Sequence, residues 1–495
     1  MRRVNLGSAF LSAVRTHGPQ PALFCGDAMF SYEQLGAQAQ AVAAHLRDSH
    51  GVQPGDRVAI WLRNCPEFVP AVLGVLLADA VVVPVNNFLK PPEVDYILAD
   101  AGARVLLAEG SQAEALAALH AARPGLQFVD VAGLPTWPVP ASVAGEPQRG
   151  AAELAVLIYT SGTTGHPKGA MLSHANLLHN IGSCRQLLGF TAADRFGVIL
   201  PLFHSYMLTV GMLLPLTSGG AMVLVKALHQ PRALLGELAR HGATILPAIP
   251  QFYRTLTHLA GEGKLPFRLC LSGAAPLPVQ VLKDFEAKFG IPLIEGYGLS
   301  EASPVVTKNP LHGVRKPGSI GLPIPDVEVS VQDERGELLP VGAVGEICVR
   351  GGNVMLGYWN RPAESAAVLR GGWLLTGDVG YRDSEGYFYI TDRKKDMLLV
   401  NGINVYPREI EEIIYQFPGV KEAAVIGVPD ARKGEQARAF VVASDGVILE
   451  VEALREFLRE RLADFKLPRE IVLLAALPRN ATGKVLKTTL RAEVA

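Results

Sequence analysis

Residues 57–86, RVAIWLRNCPEFVPAVLGVLLADAVVVPVN, carry the pattern from which the fold is read. RVAIWL is a short and nearly all-apolar run, as a strand buried on both faces requires. CPEFVPAVLGVLLADA is long enough for a helix, and VVVPVN is a second β-branched run. The cycle repeats with PPEVDYILADA at 91–101, whose prolines suit a first helical turn, and then with RVLLAE. Strand, helix and strand in this rhythm predict parallel strands with covering helices. The rhythm resumes in AVLIYT, AMVLVKA, ATILPAI, FRLCLSG and PLIEGYG. Several of these strands run into small-residue loops, where open α/β sheets bind ligands.

At 495 residues the chain exceeds the ~250–300 at which a single hydrophobic core stops growing, so at least two domains are expected. The texture changes from about residue 326, where VEVSVQDERGELLP, GEICVRG and GYFYITDRKKD are short β runs with turns between them. MLLVNGINVYP sets Asn401-Gly402 between two β-rich runs, a strong hairpin signal. REIEEIIYQF follows as a helix opened by Pro407. Leu454, Phe457, Leu458, Leu462 and Phe465 then form one helical stripe, and KLPREIVLLAALP reads as a strand. The expected fold is α/β. A large domain over 1–393 holds βαβ-type sheets, covering helices and a β-rich part, and a small mobile α+β domain spans 394–495.

The 46 basic residues nearly balance the 47 acidic ones, so no nucleic-acid footprint is visible and any anion is held by a local site. Five scattered cysteines without a CxxC pair read as free thiols in a reducing cytoplasm. Two stretches imitate membrane segments. MRRVNLGSAFLSAVRTHG has a basic start and apolar residues, yet Leu6, Phe10, Leu11 and Val14 recur at helical spacing, so an amphipathic helix is expected. Residues 199–225 lack full charges but are broken by Pro201, His204, Pro215 and the glycines at 219–220. No stable span is expected there.

YTSGTTGHPKGA, residues 159–170, is the stretch that carries chemistry. Its glycines let backbone N–H groups approach an anion closely. Hydroxyls of Thr160, Ser161, Thr163 and Thr164, backbone at Gly162 and Gly165, and the Lys168 ammonium suit a mobile polyphosphate. A solvent loop rich in small residues is the plain alternative. The spacing does not match a Walker loop. EGYGLSEAS lacks the third glycine of a dinucleotide fingerprint, and no serine fits GxSxG.

This loop resembles the signature of the adenylate-forming family: acyl- and aryl-CoA synthetases, peptide-synthetase adenylation domains and luciferase. Further motifs of that family follow in order: PLFHSY at 201–206, LSGAAPLP at 271–278, GYGLSEASP at 296–304, WLLTGDVGY at 373–381, DRKKDMLLVNGINVYPREIE at 392–411 and PRNATGKVLK at 478–487. They span essentially the whole chain. The resemblance implies ATP, Mg²⁺ and a carboxylic acid giving acyl-AMP and pyrophosphate, then transfer to a thiol, usually coenzyme A.

A carboxylate attacking an α-phosphate needs cations and N–H donors to offset repulsion. On the resemblance, Lys484 bridges carboxylate and α-phosphate, and Glu301 holds Mg²⁺, a hard cation suited to carboxylate and phosphate oxygens. Asp378 takes the ribose hydroxyls, and Arg393 reaches ribose or phosphate. Tyr297 and Gly298 lie at adenine, with Gly273, Ala274 and Ala275 bordering its other side. Ser300 stands where the family more often has threonine, and its hydroxyl lies near phosphate. His204 borders the acyl and thiol channels. Lys395 is the hinge of a rotating small domain, and Gly402 lines the coenzyme A channel. Each has a plain counterpart: a surface lysine, a turn aspartate, a core tyrosine or histidine, an ordinary hairpin glycine.

The acid is expected to be a medium- or long-chain fatty acid, because FHSYMLTVGMLLPLTSGGAMVLV at 203–225 resembles bacterial fatty-acyl-CoA synthetases. PLFHSYMLTVGMLLPL carries no acidic residue to hold an amino-acid ammonium, and its methionines suit a flexible apolar ligand. Thr209 and Gly211 are small enough to leave a channel. An aryl-acid ligase, a carrier-protein acceptor and a non-catalytic nucleotide-binding protein are the alternatives, and the sequence leaves room for a homodimer.

Overall fold

The computed structural model describes residues 4–139, 146–160, 167–225, 231–259, 265–394, 396–400, 403–430, 434–479 and 485–492. Residues 57–108 fold as their pattern predicts: strand Arg57–Trp61, helix Phe68–Leu77, strand Val81–Pro84, helix Pro91–Ala101 and strand Val105–Ala108. These strands pair in parallel, with Val58 opposite both Val82 and Val105. Strands Gln127–Asp130, Leu154–Thr160 and Lys168–Ser173 complete a six-stranded sheet.

A second sheet has nine strands. Its interior, from Pro21–Cys25 through Ala221–Leu224, Arg195–Val198, Ile245–Ala248 and Leu269–Ser272 to Leu293–Gly298, is parallel. The edges depart from the all-parallel expectation. Leu154–Thr160 pairs with Lys168–Ser173 antiparallel, as Leu293–Gly298 does with Val305–Lys308. Both pairs are joined by connections too short for a parallel crossover, which needs about a dozen residues.

The amphipathic N-terminal helix is present as Leu6–His17, with Leu6, Phe10 and Leu11 buried. Asn5, which interrupts the apolar run in sequence, caps it: the Asn5 side chain accepts from Ser8 N–H at 2.8 Å. The apolar stretch 199–225 divides between a π-helical segment Met207–Leu213, which continues as the short helix Leu214–Ser218 and ends at left-handed Gly219, and the strand Ala221–Leu224. Among the described residues no helix is long and apolar enough to cross a membrane. The five cysteines are free thiols, four of them buried.

A third, β-rich sheet joins Val327–Gln332, Gly345–Gly351, Trp373–Arg382 and Phe388–Arg393. The chain leaves it after Arg393 and enters a fourth sheet at Leu398. There Leu398 and Val400 face Val405 and Ile403 in the expected hairpin register, while the turn residues Asn401 and Gly402 lie outside the described residues. Helix Pro407–Ile414 starts at its proline, and its Ile410 and Ile414 join a separate core with Leu454 and Leu458. The long apolar stripe is only partly helical. The helix is Val451–Arg459, and Leu462 and Phe465 follow it, yet both pack on the same core. Their spacing reflects a shared buried surface rather than a continuing helix.

Candidate active site

Strand Leu293–Gly298 ends the parallel series, and its last residues carry the first group of candidates. Tyr297 Oη donates to Asp378 Oδ2 at 2.6 Å. Asp378 sits on strand Trp373–Arg382 directly opposite Arg393, whose Nε lies 3.1 Å from Asp378 Oδ1. Both oxygens of this buried carboxylate are thus engaged. Burial, together with the adjoining carboxylate, pushes the Tyr297 phenol well above its ordinary range, so it stays a donor. Gly298 follows because a Cβ there would overlap the carbonyl oxygen of Pro304.

These residues form one wall of a cavity of about 500 Å³, inside the ~300–1,000 Å³ range of small-molecule sites. Ala274 and Ala275 face them, and Ala274 has a positive φ of 65° at the end of strand Leu269–Ser272. Gly273 turns elsewhere: its missing side chain leaves room for the Tyr206 ring, 3.3 Å from where a Cβ would be. Tyr206 Oη in turn donates to the Leu271 carbonyl.

The small domain closes the far side with Arg408, Glu411 and Lys487. Sequence reasoning singled out none of them. Arg408 Nη2 stands 4.0 Å from Glu295 Oε1, and its backbone N–H donates to Asp392 Oδ2 at 3.0 Å. Burial pushes the Glu295 carboxyl up to about 7, with Arg408 opposing, and Asp392 is pushed up to about 6 by burial. Glu295 Oε2 is buried without a hydrogen bond. The protonation of Glu295 is set by burial working against the facing Arg408 charge.

A second group lies apart from that cavity. Ser205 and Ser300 hydroxyls meet at 3.0 Å, which joins the His204 segment to the loop after Tyr297. The His204 ring nitrogen Nδ1 accepts from Tyr206 N–H at 3.3 Å. Glu301 is half-buried, and its Oε1 accepts from Tyr358 Oη at 2.9 Å. Among the described residues no hydrogen bond reaches its other oxygen. One open carboxylate oxygen fits Mg²⁺, which commonly binds one or two carboxylates, substrate phosphates and water.

Lys168 pairs with Thr160 across the two strands of the expected phosphate loop. Its ammonium forms an ion pair with Glu364 and lies 5.5 Å from the centre of the Tyr358 ring. Tyr358 therefore bridges Glu301 and Lys168, a position no local motif announces. Ser161, Gly162, Thr163, Thr164, Gly165, Lys395, Gly402 and Lys484 lie outside the described residues.

A family model described as AMP-binding enzyme matches residues 10–359, and one described as AMP-binding enzyme C-terminal domain matches residues 409–484. A long-chain-fatty-acid–CoA ligase of Bacillus subtilis (strain 168) is 38% identical over 94% of this chain and 90% of its own. A feruloyl-CoA synthase of an Amycolatopsis species is 37% identical over 99% of both. The crystal structure of ATP-bound MatB from Rhodopseudomonas palustris superposes with a TM-score of 0.93 at 35% identity, covering 99% of each chain. Adenylate-forming CoA ligases of this kind use ATP, Mg²⁺ and coenzyme A. The chain belongs to the AMP-binding enzyme family and is an AMP-forming acyl-CoA synthetase.

Proposed function

We propose that the enzyme activates a medium- or long-chain fatty acid as its acyl-AMP and then transfers the acyl group to coenzyme A in the cytoplasm. The observation that carries the nucleotide part is the Tyr297–Asp378–Arg393 assembly on the wall of a nucleotide-sized cavity. Tyr297 presents its ring to the base while its hydroxyl is tied down, so the ring is positioned before ATP arrives. Asp378 accepts the ribose hydroxyls after yielding part of its present hydrogen bonding. Arg393 pairs with that carboxylate and faces the phosphates.

Ser300 and the loop hydroxyls from Thr160 onward donate to phosphate oxygens, and Lys168 adds charge from the Glu364 side. Glu301 would hold Mg²⁺, which neutralises charge on the phosphate oxygens when bound. Lys484 brings the acid carboxylate to the α-phosphorus. The carboxylate oxygen forms a bond to phosphorus, and pyrophosphate leaves. The thiol of coenzyme A, entering past Gly402, then attacks the acyl carbon, and AMP departs. Rotation of the small domain about Lys395 exchanges Lys484 for Gly402, and the Arg408–Glu295 contact is one that such a rotation breaks.

The fatty-acid part rests on the apolar segment after His204. Met207, Leu208, Val210, Met212, Leu213 and Leu214 are all buried. The long-chain-fatty-acid–CoA ligase relative supports the same class. One detail changes the expectation of an open channel at Gly211. The Met207 methyl fills that space, 2.5 Å from where a Gly211 Cβ would be. A thioether is the side chain best able to swing aside for a chain. A second reading, an aryl acid, is favoured by the feruloyl-CoA synthase relative.

The test is a profile of kcat/KM for acids of increasing length with ATP and coenzyme A. Each buried methylene adds about 0.8 kcal/mol, so the profile should rise nearly fourfold per carbon until the site is full. A flat profile, or a preference for cinnamates and benzoates, removes the fatty-acid assignment.

A further inference from the structure

Lys308 is buried, with 8% of its surface exposed, on strand Val305–Lys308. It pairs with Gly296, and residues directly opposite in an antiparallel pair share a face. Its side chain therefore lies on the face away from Tyr297 and Thr307. A Cβ at Gly296 would sit 3.5 Å from Lys308 Cγ, so the missing side chain is what accommodates the lysine stem. Gly296 itself lines the nucleotide cavity.

No hydrogen bond and no carboxylate among the described residues reaches the Lys308 ammonium. Cys184 of helix His174–Leu187 is the titratable group facing it, and burial pushes that thiol up to about 11, so it stays neutral. Cys184 also faces the Tyr206 phenol, the residue that leads into the π-helical segment. Lys308, Cys184 and Tyr206 thus share the region between that segment, the helix and the end of the sheet. Burial brings the lysine down to about 8, which leaves it mostly charged at neutral pH.

The stem is buried, but the ammonium is not among the fully buried polar atoms that lack a partner, so it opens onto accessible space rather than into packed side chains. Its position along the strand is informative as well. Lys308 is three residues beyond Val305, which pairs with Gly298, so it lies about 10 Å from the phosphate-side turn at 3.3 Å per residue. That is the depth of the far end of an acyl group whose carboxylate meets ATP near Ser300.

We propose that Lys308 determines substrate specificity: its ammonium selects acids whose distal end carries an oxygen acceptor, a hydroxyl or a second carboxylate, over acids ending in hydrocarbon. The inference rests on acid adenylation and on the acyl group lying between the Gly296 strand and the π-helical segment. It narrows the fatty-acid class to oxygenated members.

The experiment measures acid-dependent pyrophosphate release by the full chain with butanoate, octanoate and dodecanoate, each beside its ω-hydroxy and α,ω-dicarboxylate counterpart. At the length that reaches Lys308, an oxygenated acid should exceed its hydrocarbon partner at least ~10-fold in kcat/KM, because a site built to pair a polar group rejects the analogue lacking it. The hydroxy and dicarboxylate arms show which acceptor is preferred. Lys308→Met should reverse the order by favouring the hydrocarbon acid. The wild-type profile stands alone if that variant folds poorly. Hydrocarbon acids preferred by the wild type, or the same order in both proteins, would overturn the role of Lys308 and leave acid adenylation intact. No release with any acid would overturn both.

Discussion

Tyr297 and Asp378, 81 residues apart in the chain, are joined by a 2.6 Å hydrogen bond that links the end of the parallel sheet to the β-rich sheet. The bond fixes an aromatic ring over a cavity and ties a carboxylate beside it. Tyr297→Phe removes the donor and keeps the ring. A hydrogen bond to a charged group contributes about 1.5–3 kcal/mol, so a lower unfolding midpoint in denaturant is expected. KM for ATP should rise as Asp378 loses its fixed orientation. Unchanged stability together with unchanged KM would show that the pair positions nothing.

Glu295 makes stability depend on pH with a definite sign. Its folded value, about 7, lies above the ordinary 4.5, so the folded state binds the proton more tightly than the unfolded chain. The contribution is fully present below about 4.5 and is lost as pH rises through about 7. Glu295→Gln abolishes this titration while keeping an acceptor for Leu277 N–H. The wild type should lose more stability than the variant between pH 5 and pH 8, by at most about 3 kcal/mol. Parallel pH profiles of the two unfolding midpoints would refute the assignment.

Met207 is the plug in the segment expected to hold an acyl chain. Met207→Ala should shift the preferred acid towards longer chains, with kcat/KM for the longest acids rising several-fold relative to short ones. The cost in stability is about 2–5 kcal/mol for a buried methionine truncation. Loss of stability with no change in the length profile would make Met207 a packing residue only.

Lys484→Ala should abolish adenylation, by at least ~10²–10³-fold, the scale for removing one preorganised transition-state donor. Thioester formation from premade acyl-AMP should survive, because that step is assigned to the Gly402 side of the small domain. Equal loss in both half-reactions would contradict the division of labour.

Much of this molecule is legible in its sequence because the signals are local. The strand Arg57–Trp61, the helix Pro91–Ala101 with its N-terminal prolines and the hairpin flanking Asn401-Gly402 follow from periodicity and turn chemistry. Tyr297, Asp378 and Arg393 stand out because their motifs are specific, and the fold brings them into contact. What stays hidden depends on long-range juxtaposition. Tyr358 reaches Glu301 across 57 residues, Glu364 takes Lys168, and Arg408 meets Glu295 only when the two domains are set together. No motif marks Lys308 in sequence, and its burial beside Gly296 appears only in the fold. Leu462 and Phe465 show the opposite failure, since apolar spacing persists after the helix has ended.

The most direct test of the account is acid-dependent exchange of labelled pyrophosphate into ATP by the full chain with Mg²⁺ and no coenzyme A. Reversible formation of acyl-AMP predicts exchange that requires the acid and is lost in Lys484→Ala; adding coenzyme A should then yield AMP and thioester in equal amounts. Exchange that proceeds without acid, or hydrolysis of ATP to ADP and phosphate, would contradict adenylation as the reaction of this site.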